Sequence, residues 1–327
     1  MIHPPNDPTF QGDLPELALD QRRQLFRLSG HHFLTTGRLI AGAVDRDLVT
    51  AITFLCIGRA NLKALTVDSQ RATAYAGLAT IPPDSERTPV SVYAVAKELG
   101  IPYETIRRHT RKLRDADLLE VVAGGLIIPA RAFLHPGLLG AVMEYWQGTV
   151  AFVNAAAEAG VAAPGPEEAP PPDVSRQVMR LGVNHFLETM IRMARAVDSE
   201  PVTAVVMRAI GFANVRHVTV DPGLAATYAS LLAPPPGDAE RRPVSVYALS
   251  KSLMLPYETT RRHAQRLLDR GLVRKAASGG LYIPADVVAR PEMAQGMSDA
   301  ADLALTYLTQ LARYGVVART TAPAQIA

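Results

Sequence analysis

Residues 89–119 read PVSVYAVAKELGIPYETIRRHTRKLRDADLL, and residues 243–273 read PVSVYALSKSLMLPYETTRRHAQRLLDRGLV. The two stretches are identical at 18 of 31 positions without a gap, which chance does not produce. The match resumes in GGLIIPA (124–130) and GGLYIPA (279–285), one residue further out of phase. The same structural unit therefore occurs twice in the chain.

Weaker identities extend this duplication over the rest of the chain. At an offset of 153 residues, the tripeptide HFL at 32–34 recurs at 185–187. The segment 164–172 reads PGPEEAPPP, and its prolines prevent a helix and favour a semi-rigid, extended linker. We predict two repeats, 1–163 and 173–327, joined by a linker at 164–172.

Apolar residues at helical spacing predict helices before and after each strongly repeated segment. The preceding helices lie within 22–66 and 175–217. The following helices, 137–160 and 297–318, are long and apolar, which suits packing between repeats or between two copies of the chain. Asp45 is a predicted N-cap of a helix over 47–66, and Ser199 has the same predicted role just before Pro201.

The repeated segment itself contains a compact series of elements. Ser91 and Ser245 are predicted N-caps of two short helices, the first of which ends at Gly100. A second helix begins near Pro102 or Pro256 after a very short turn. Two short strands around a Gly-Gly turn follow and predict a β-hairpin. The expected fold class is mainly α with small β-hairpin wings, in two tandem copies.

Residues 89–130 and 243–285 resemble in this order the winged helix-turn-helix domains of bacterial transcriptional regulators, of the broad MarR, GntR and IclR-like kind. The resemblance covers about 85 of the 327 residues. It is carried by Ala96, by Gly100 and by the PYET-RRH start of the second helix. The second repeat has Ser250 and Met254 at the first two positions, so we expect a slightly altered turn there. The resemblance implies that the chain binds double-stranded DNA.

The charge pattern of the second helix supports this interpretation independently. Residues 104–114 carry five basic side chains against one carboxylate, while the opposite face is apolar. Clustered cations meet phosphates, and the N-terminal residues of such a helix reach base edges. We predict that DNA is contacted by Ser91, Tyr103, Glu104, Thr105, Arg107, Arg108, His109, Arg111 and Lys112, and by Ser245, Tyr257, Glu258, Thr259, Arg261, Arg262, His263, Gln265, Arg266, Arg274 and Lys275.

Composition excludes several other classes of protein. The net charge is only +3, and the single cysteine, Cys56, excludes an internal disulfide and a multi-thiolate zinc site. The first residues lack the pattern of a signal peptide, and no run approaches 18 apolar residues. No nucleotide-binding, protease or hydrolase motif is present. We expect a cytoplasmic, nucleoid-associated protein that is not an enzyme, with no cofactor, metal or membrane partner.

Two histidines recur upstream of the repeated segment. His32 and His185 invite comparison with a pH sensor or a metal ligand, but we favour a packed histidine in the core or an interface. Tyr75 and Tyr228 are interpreted as packing residues, and Cys56 as a buried small hydrophobe.

The sequence thus predicts a regulator of transcription that reads a pseudo-palindromic or bipartite site with two motifs in one chain. The partners we expect are double-stranded DNA, a second copy of the chain bound through the long helices, and RNA polymerase. The alternatives are a replication initiator and an adaptor whose winged helices bind protein. A ligand-responsive repressor is a further variant, although the N-terminal helices show no charged, convergent pocket.

Overall fold

The computed structural model describes residues 17–67, 69–166 and 169–318. The first repeat contains α1 (Leu19–Val44), α2 (Leu48–Asn61), α3 (Lys63–Val67), α4 (Ser69–Ala74), α5 (Val92–Leu99), α6 (Tyr103–Asp115), β1 (Glu120–Val122), β2 (Gly125–Ile127) and α7 (Pro136–Glu158). The second contains α8 (Ser175–Ala196), α9 (Pro201–Val220), α10 (Pro222–Thr227), α11 (Val246–Leu253), α12 (Tyr257–Asp269), β3 (Arg274–Lys275), β4 (Leu281–Tyr282), α13 (Ala285–Val288) and α14 (Pro291–Arg313).

The described residues are therefore mainly helical, with two small antiparallel hairpins, β1–β2 and β3–β4. This confirms the predicted fold class at that level. The sequence start used to judge the signal peptide lies outside the described residues, as do residues 167 and 168 of the predicted linker. The other linker residues form neither helix nor strand, which agrees with their proline content.

Two predicted helix caps are corrected. The carboxylate of Asp47, not Asp45, accepts the backbone N–H groups of Val49 and Thr50 at 2.8 and 3.1 Å. Asp45 instead ends α1. In the second repeat Glu200 is the N-cap residue of α9, and no side chain caps this end. Pro201 at the first helical position has no N–H group, which removes one of the unpaired donors at this end.

The turn within each short helix pair has the same left-handed conformation in both repeats. The Ser91 and Ser245 hydroxyls cap α5 and α11 as predicted, each accepting a backbone N–H at 3.1 Å. Gly100 has φ 62°, and Met254 has φ 50° at the corresponding position. The expectation of an altered turn is therefore wrong. The second repeat keeps the turn at the steric cost of a β-carbon, roughly 1–2 kcal/mol.

A buried asparagine on α2 in the first repeat, and on α9 in the second, holds each hairpin against that helix. The Asn61 amide donates to the carbonyls of Thr88 and Leu126 and accepts the N–H of Ile128, all within 3.0 Å. Asn214 makes the same three bonds in the second repeat. Val90 also bridges to Leu126, which adds a third extended segment to the first hairpin. The hairpin therefore has a fixed position relative to the short helix pair.

The two repeats share their hydrophobic core. One cluster of buried residues includes α2 and α6 of the first repeat and α9 and α12 of the second. A second cluster joins α1, α7, α8 and α14. The long helices α7 and α14 thus pack between the repeats, while Leu139 and Met143 of α7 remain exposed. The predicted boundary divides the repeats in sequence, while their side chains pack together.

Reciprocal contacts show how the repeats are related. Arg27 donates to the carbonyls of Tyr228 and Ala225 in the second repeat. Arg180, its counterpart 153 residues later, donates to the carbonyls of Tyr75 and Ala72 in the first. Each partner is displaced by the same 153 residues. Reciprocity of this kind is the mark of an approximate twofold relation.

Candidate nucleic-acid interface

Helices α6 and α12 each turn one apolar face to the core and one polar face to solvent. Ile106, Thr110 and Leu113 are buried, as the helical spacing predicted. The opposite face of each helix exposes a tyrosine, a glutamate and two arginines in the same order. These exposed residues are Tyr103, Glu104, Arg107 and Arg108 on α6 and Tyr257, Glu258, Arg261 and Arg262 on α12.

His109 and His263 do not belong to this exposed face, which corrects the prediction that they contact DNA. The Nδ1 atom of His109 lies 2.8 Å from Thr50 Oγ1, and that of His263 lies 2.8 Å from Thr203 Oγ1. Both rings are buried. Burial lowers the pKa of His109 and lowers that of His263 to about 4. The two neutral histidines anchor the helices to α2 and α9.

Ion pairs divide the basic residues into two groups. Arg107 pairs with Glu104 and Arg261 with Glu258, at 2.8 and 2.7 Å along one helix face. Exposed pairs of this kind are weak and separate readily, because water and salt screen the charges. They orient each guanidinium over the first turn of its helix. A duplex that approaches this face can compete for these arginines at little cost.

Four other residues that we predicted to contact DNA bind carboxylates of the protein. Lys112 Nζ lies 2.8 Å from Asp45, and Arg266 lies 2.5 Å from Glu200. Gln265 donates to Asp269, one turn along α12. Arg274 pairs with Asp286 at 3.0 Å. These four side chains remain exposed, but their partners already satisfy part of their charge or hydrogen-bonding capacity.

A few exposed cations have no such partner. In the part of the chain that the structure describes, Arg108, Arg111, Arg262 and Lys275 form no ion pair with a carboxylate. Arg108 and Arg262 occupy the same position of the two repeats. They are therefore the strongest candidates for direct contact with an anionic polymer.

The remaining predicted residues fall into two classes. Thr105 and Thr259 are half-buried in the first turns of α6 and α12. The hydroxyls of Ser91 and Ser245 cap the preceding helices and use one lone pair in doing so. These residues lie at the start of the helices without presenting a free charge.

Sequence reasoning missed one repeated surface feature. Tyr93 and Tyr247 project from α5 and α11 with 66% and 63% of their surface exposed. Lys251 lies over the Tyr247 ring, 5.5 Å from its centroid. The sequence carried a signal for this feature, because a tyrosine recurs at the same position of both repeats. A residue used only for packing would be buried, whereas these two are exposed. The two exposed rings thus occupy equivalent positions on the short helices that precede α6 and α12.

The two hairpins differ in charge, as their sequences indicated. The first exposes Val121 and holds Glu120 in an ion pair with Arg131. The second exposes Arg274 and Lys275 on β3. The second hairpin is thus the more basic of the two.

His32 and His185 lie in the shared core, in agreement with the packing interpretation. His32 stacks on Phe152 at 5.0 Å, and His185 stacks on Tyr307 at 4.5 Å between ring centroids. Neither ring nitrogen of His185 has a hydrogen-bond partner among the described residues. Burial lowers the pKa of His32 to about 4 and that of His185 to about 3. Both rings therefore remain neutral at physiological pH.

Two other kinds of site are absent from the described residues. Within residues 17–67, 69–166 and 169–318, no three His, Cys, Asp or Glu side chains are grouped as metal ligands would be. No helix in these ranges combines the length and apolar character needed to cross a bilayer. In comparisons with known proteins, no family model, curated protein or solved structure matches the chain.

Proposed function

We propose that the protein is a sequence-specific regulator of transcription that binds double-stranded DNA through two winged helix-turn-helix units. The observation that carries this proposal is the repeated face of α6 and α12. Each helix follows a short helix and a tight turn, precedes a hairpin, and exposes the same Tyr-Glu-Thr row with two arginines. The two repeats keep this row and both arginines, whereas Arg111 and Arg114 are replaced by Gln265 and Leu268 in the second repeat.

The chemistry of this face suits duplex DNA. Arginine pairs bidentately with guanine edges, and glutamate accepts from cytosine in the major groove. Arg108 and Arg262 have free guanidinium groups for phosphate or base contacts. The Glu104–Arg107 and Glu258–Arg261 pairs can exchange partners when the helix enters the groove. The nearly neutral remainder of the molecule limits non-specific attraction, which scales with the number of phosphates neutralised.

The approximate twofold relation supports a two-part binding site. Dimeric helix-turn-helix proteins match an operator's symmetry with their own, reading half-sites about 34 Å apart. A duplicated chain carries both reading units covalently. Because the exposed faces of the two helices differ at Arg111/Gln265 and Lys112/Arg266, the preferred site is an imperfect palindrome or a bipartite sequence.

The test begins with selection of preferred duplexes from a random library by the full chain. Fluorescence anisotropy on the selected duplex then compares the wild type with Arg108→Ala, Arg262→Ala and the double variant. We expect each change to cost about 1–3 kcal/mol of binding free energy and the salt dependence to become shallower by about one unit per lost phosphate contact. Lys63→Ala, an exposed cation on α3, is the matched control and retains wild-type affinity.

Three outcomes contradict the proposal in different ways. If no duplex is enriched, or if the arginine variants bind like the wild type, the exposed face does not read DNA. Undetectable duplex binding at about 50 mM salt by a correctly folded chain favours a protein-binding adaptor. Specific binding accompanied by local strand opening, detected by permanganate reactivity of thymines, favours a replication initiator.

A further inference from the structure

Two apolar cavities lie between the repeats, and the approximate twofold relation exchanges one for the other. The first is bordered by Thr36, Leu55 and Val183, and the second by their counterparts Thr189, Arg208 and Gly30, each 153 residues away. Their volumes differ, at about 130 Å³ and about 470 Å³ respectively. The larger value lies within the usual range of small-molecule sites.

The residues that line the two cavities differ at several positions. Phe133 and Tyr145 contribute aromatic rings to the first cavity, and at an offset of 155 residues the second cavity has Val288 and Ala300. At an offset of 153 residues, the second cavity has Phe26 and Phe212 where the first has Met179 and Arg59. The second cavity therefore lacks the two rings of the first on one side and gains two others elsewhere on its wall.

A further substitution places a buried arginine on the wall of the larger cavity. Arg208, where the first repeat has Leu55, is 8% exposed and stacks over the Phe26 ring, 3.4 Å from its centroid. Its Nη2 donates to the Phe26 carbonyl at 2.6 Å. Its Nε and Nη1 atoms are buried and have no partner among the described residues. A buried cation with unused donors is costly unless an anion compensates it.

The surroundings of Arg208 fit an arginine specifically. A β-carbon at Gly30 would come within 2.5 Å of the guanidinium, so glycine there makes room for this side chain. The counterpart of Gly30 is Val183, opposite the smaller Leu55. Small and large residues have thus been exchanged together between the repeats. Thr189, on the same wall, contributes a buried hydroxyl that also lacks a hydrogen-bond partner among the described residues.

The other charged groups of the cavity do not neutralise Arg208. Arg23 and Arg27 are buried there, and their terminal nitrogens donate to backbone carbonyls. Arg241 is also buried, with Asp238 3.8 Å from its Nε. The carboxylates among the lining residues, Glu292 and Asp299, are exposed. Burial lowers the pKa of Arg208 to about 9 and of Arg27 to about 10, which leaves both charged at neutral pH.

We propose that the larger cavity binds a small organic acid whose apolar body fills this space and whose carboxylate pairs with the Arg208 guanidinium. The pocket is formed by side chains from both repeats, and buried arginines lie on its wall. A charge-assisted pair with a carboxylate supplies the counter-charge that the buried guanidinium lacks. The proposal does not depend on the DNA-binding function.

Isothermal titration calorimetry on the full chain tests this site with two acids, 2-naphthoate and decanoate, and with their neutral amides. Arg208→Leu and Ala300→Tyr introduce the residues of the first repeat into the second. We expect saturable binding of at least one acid at one site per chain, weakened about tenfold or more by Arg208→Leu while amide binding is unchanged. Ala300→Tyr should abolish binding of both acid and amide, because the ring occupies the cavity.

Val142→Met is the matched control, since it introduces a residue of the second repeat into the smaller cavity and should leave acid binding intact. Circular dichroism and melting temperature establish that each variant is folded. If neither acid binds saturably, or if Arg208→Leu leaves acid affinity unchanged, the proposal is overturned. Two equal sites per chain would also overturn the proposal, because Arg208 lines only the larger cavity and the smaller one has Leu55 at this position.

Discussion

The ring of Phe33 stacks on the ring of Phe186, its own counterpart in the other repeat, with centroids 4.5 Å apart and planes inclined by 14°. Equivalent residues can touch each other only close to a twofold axis. The contact between α1 and α8 therefore marks the centre of the pseudosymmetric molecule. The duplicated chain has the internal arrangement of a dimer whose two subunits are joined by a linker.

This central contact should be expensive to remove. Phe33→Ala deletes a buried ring from the core shared by both repeats, and we expect a loss of about 3–5 kcal/mol in the free energy of unfolding. Equilibrium unfolding in urea measures it. Leu232→Ala, at a side chain 77% exposed, is the control and should change stability by less than about 0.5 kcal/mol. A comparable small change for Phe33→Ala would show that the repeats do not depend on this stack.

The asparagine anchors should act locally. Asn61→Ala removes three hydrogen bonds and leaves the buried Ile128 N–H without its acceptor, which costs about 1–3 kcal/mol. Hydrogen exchange should accelerate in β1–β2 and remain slow in β3–β4. Asn214→Ala is the reciprocal control and should reverse this pattern. Equal acceleration in both hairpins for either variant would contradict the anchoring role.

The buried histidines predict a pH dependence of stability. The unfolded-state pKa is about 6.5, whereas burial lowers the folded-state pKa to about 4 for His32 and His263 and to about 3 for His185. Between these values the unfolded chain binds more protons, so stability is greatest above pH 6.5 and falls as the pH drops towards 4. Urea unfolding at pH 7.5, 6 and 5 should show this decline.

A substitution identifies the source of that decline. His185→Leu removes one depressed pKa and should make the stability curve shallower across the same interval. Leu232→Ala, which removes no titratable group, should leave the slope as in the wild type. An unchanged slope in His185→Leu would place the acid sensitivity elsewhere.

Arg208 should reduce the stability of the empty protein. Arg208→Leu removes a buried charge whose Nε and Nη1 groups have no partner among the described residues, so it should raise the melting temperature. Arg59→Leu provides the contrast, because Arg59 pairs with Glu98 and Glu188 and its loss leaves Glu98 without this partner. That variant should be neutral or destabilised. A lower melting temperature for Arg208→Leu would indicate that the contacts with the Phe26 carbonyl and ring outweigh the cost of the buried charge.

The position of His109 could have been anticipated from the sequence. It stands three residues after Ile106 and one before Thr110, within the row that helical spacing directs to the core. Its basic neighbours Arg108 and Arg111 directed attention to the opposite face. The cap at Asp47 was similarly within reach, because Asp47 immediately precedes α2 whereas Asp45 ends the helix before it.

The buried arginines were beyond sequence reasoning. Arg27 and Arg180 look like solvated charges on amphipathic helices, yet both bind carbonyls of the other repeat. The Tyr228 carbonyl is 201 residues from Arg27, and the Tyr75 carbonyl is 105 residues from Arg180. Likewise, the residues next to Arg208 in the sequence do not indicate that its side chain lies beside Phe26 and Gly30. These contacts depend on how α1 and α8 cross, and that crossing is decided by long-range packing.

The sequence by itself determined the duplication, the short helix pairs with their serine caps, the hairpins, and the exposed rows on α6 and α12. All of these follow from interactions within about ten residues, which periodicity and turn residues encode directly. The tertiary structure alone decided that the repeats share one core about a twofold axis, and that the two resulting cavities differ in size and in the placement of their arginines. Such features arise from side chains distant in the chain, whose proximity no local pattern specifies.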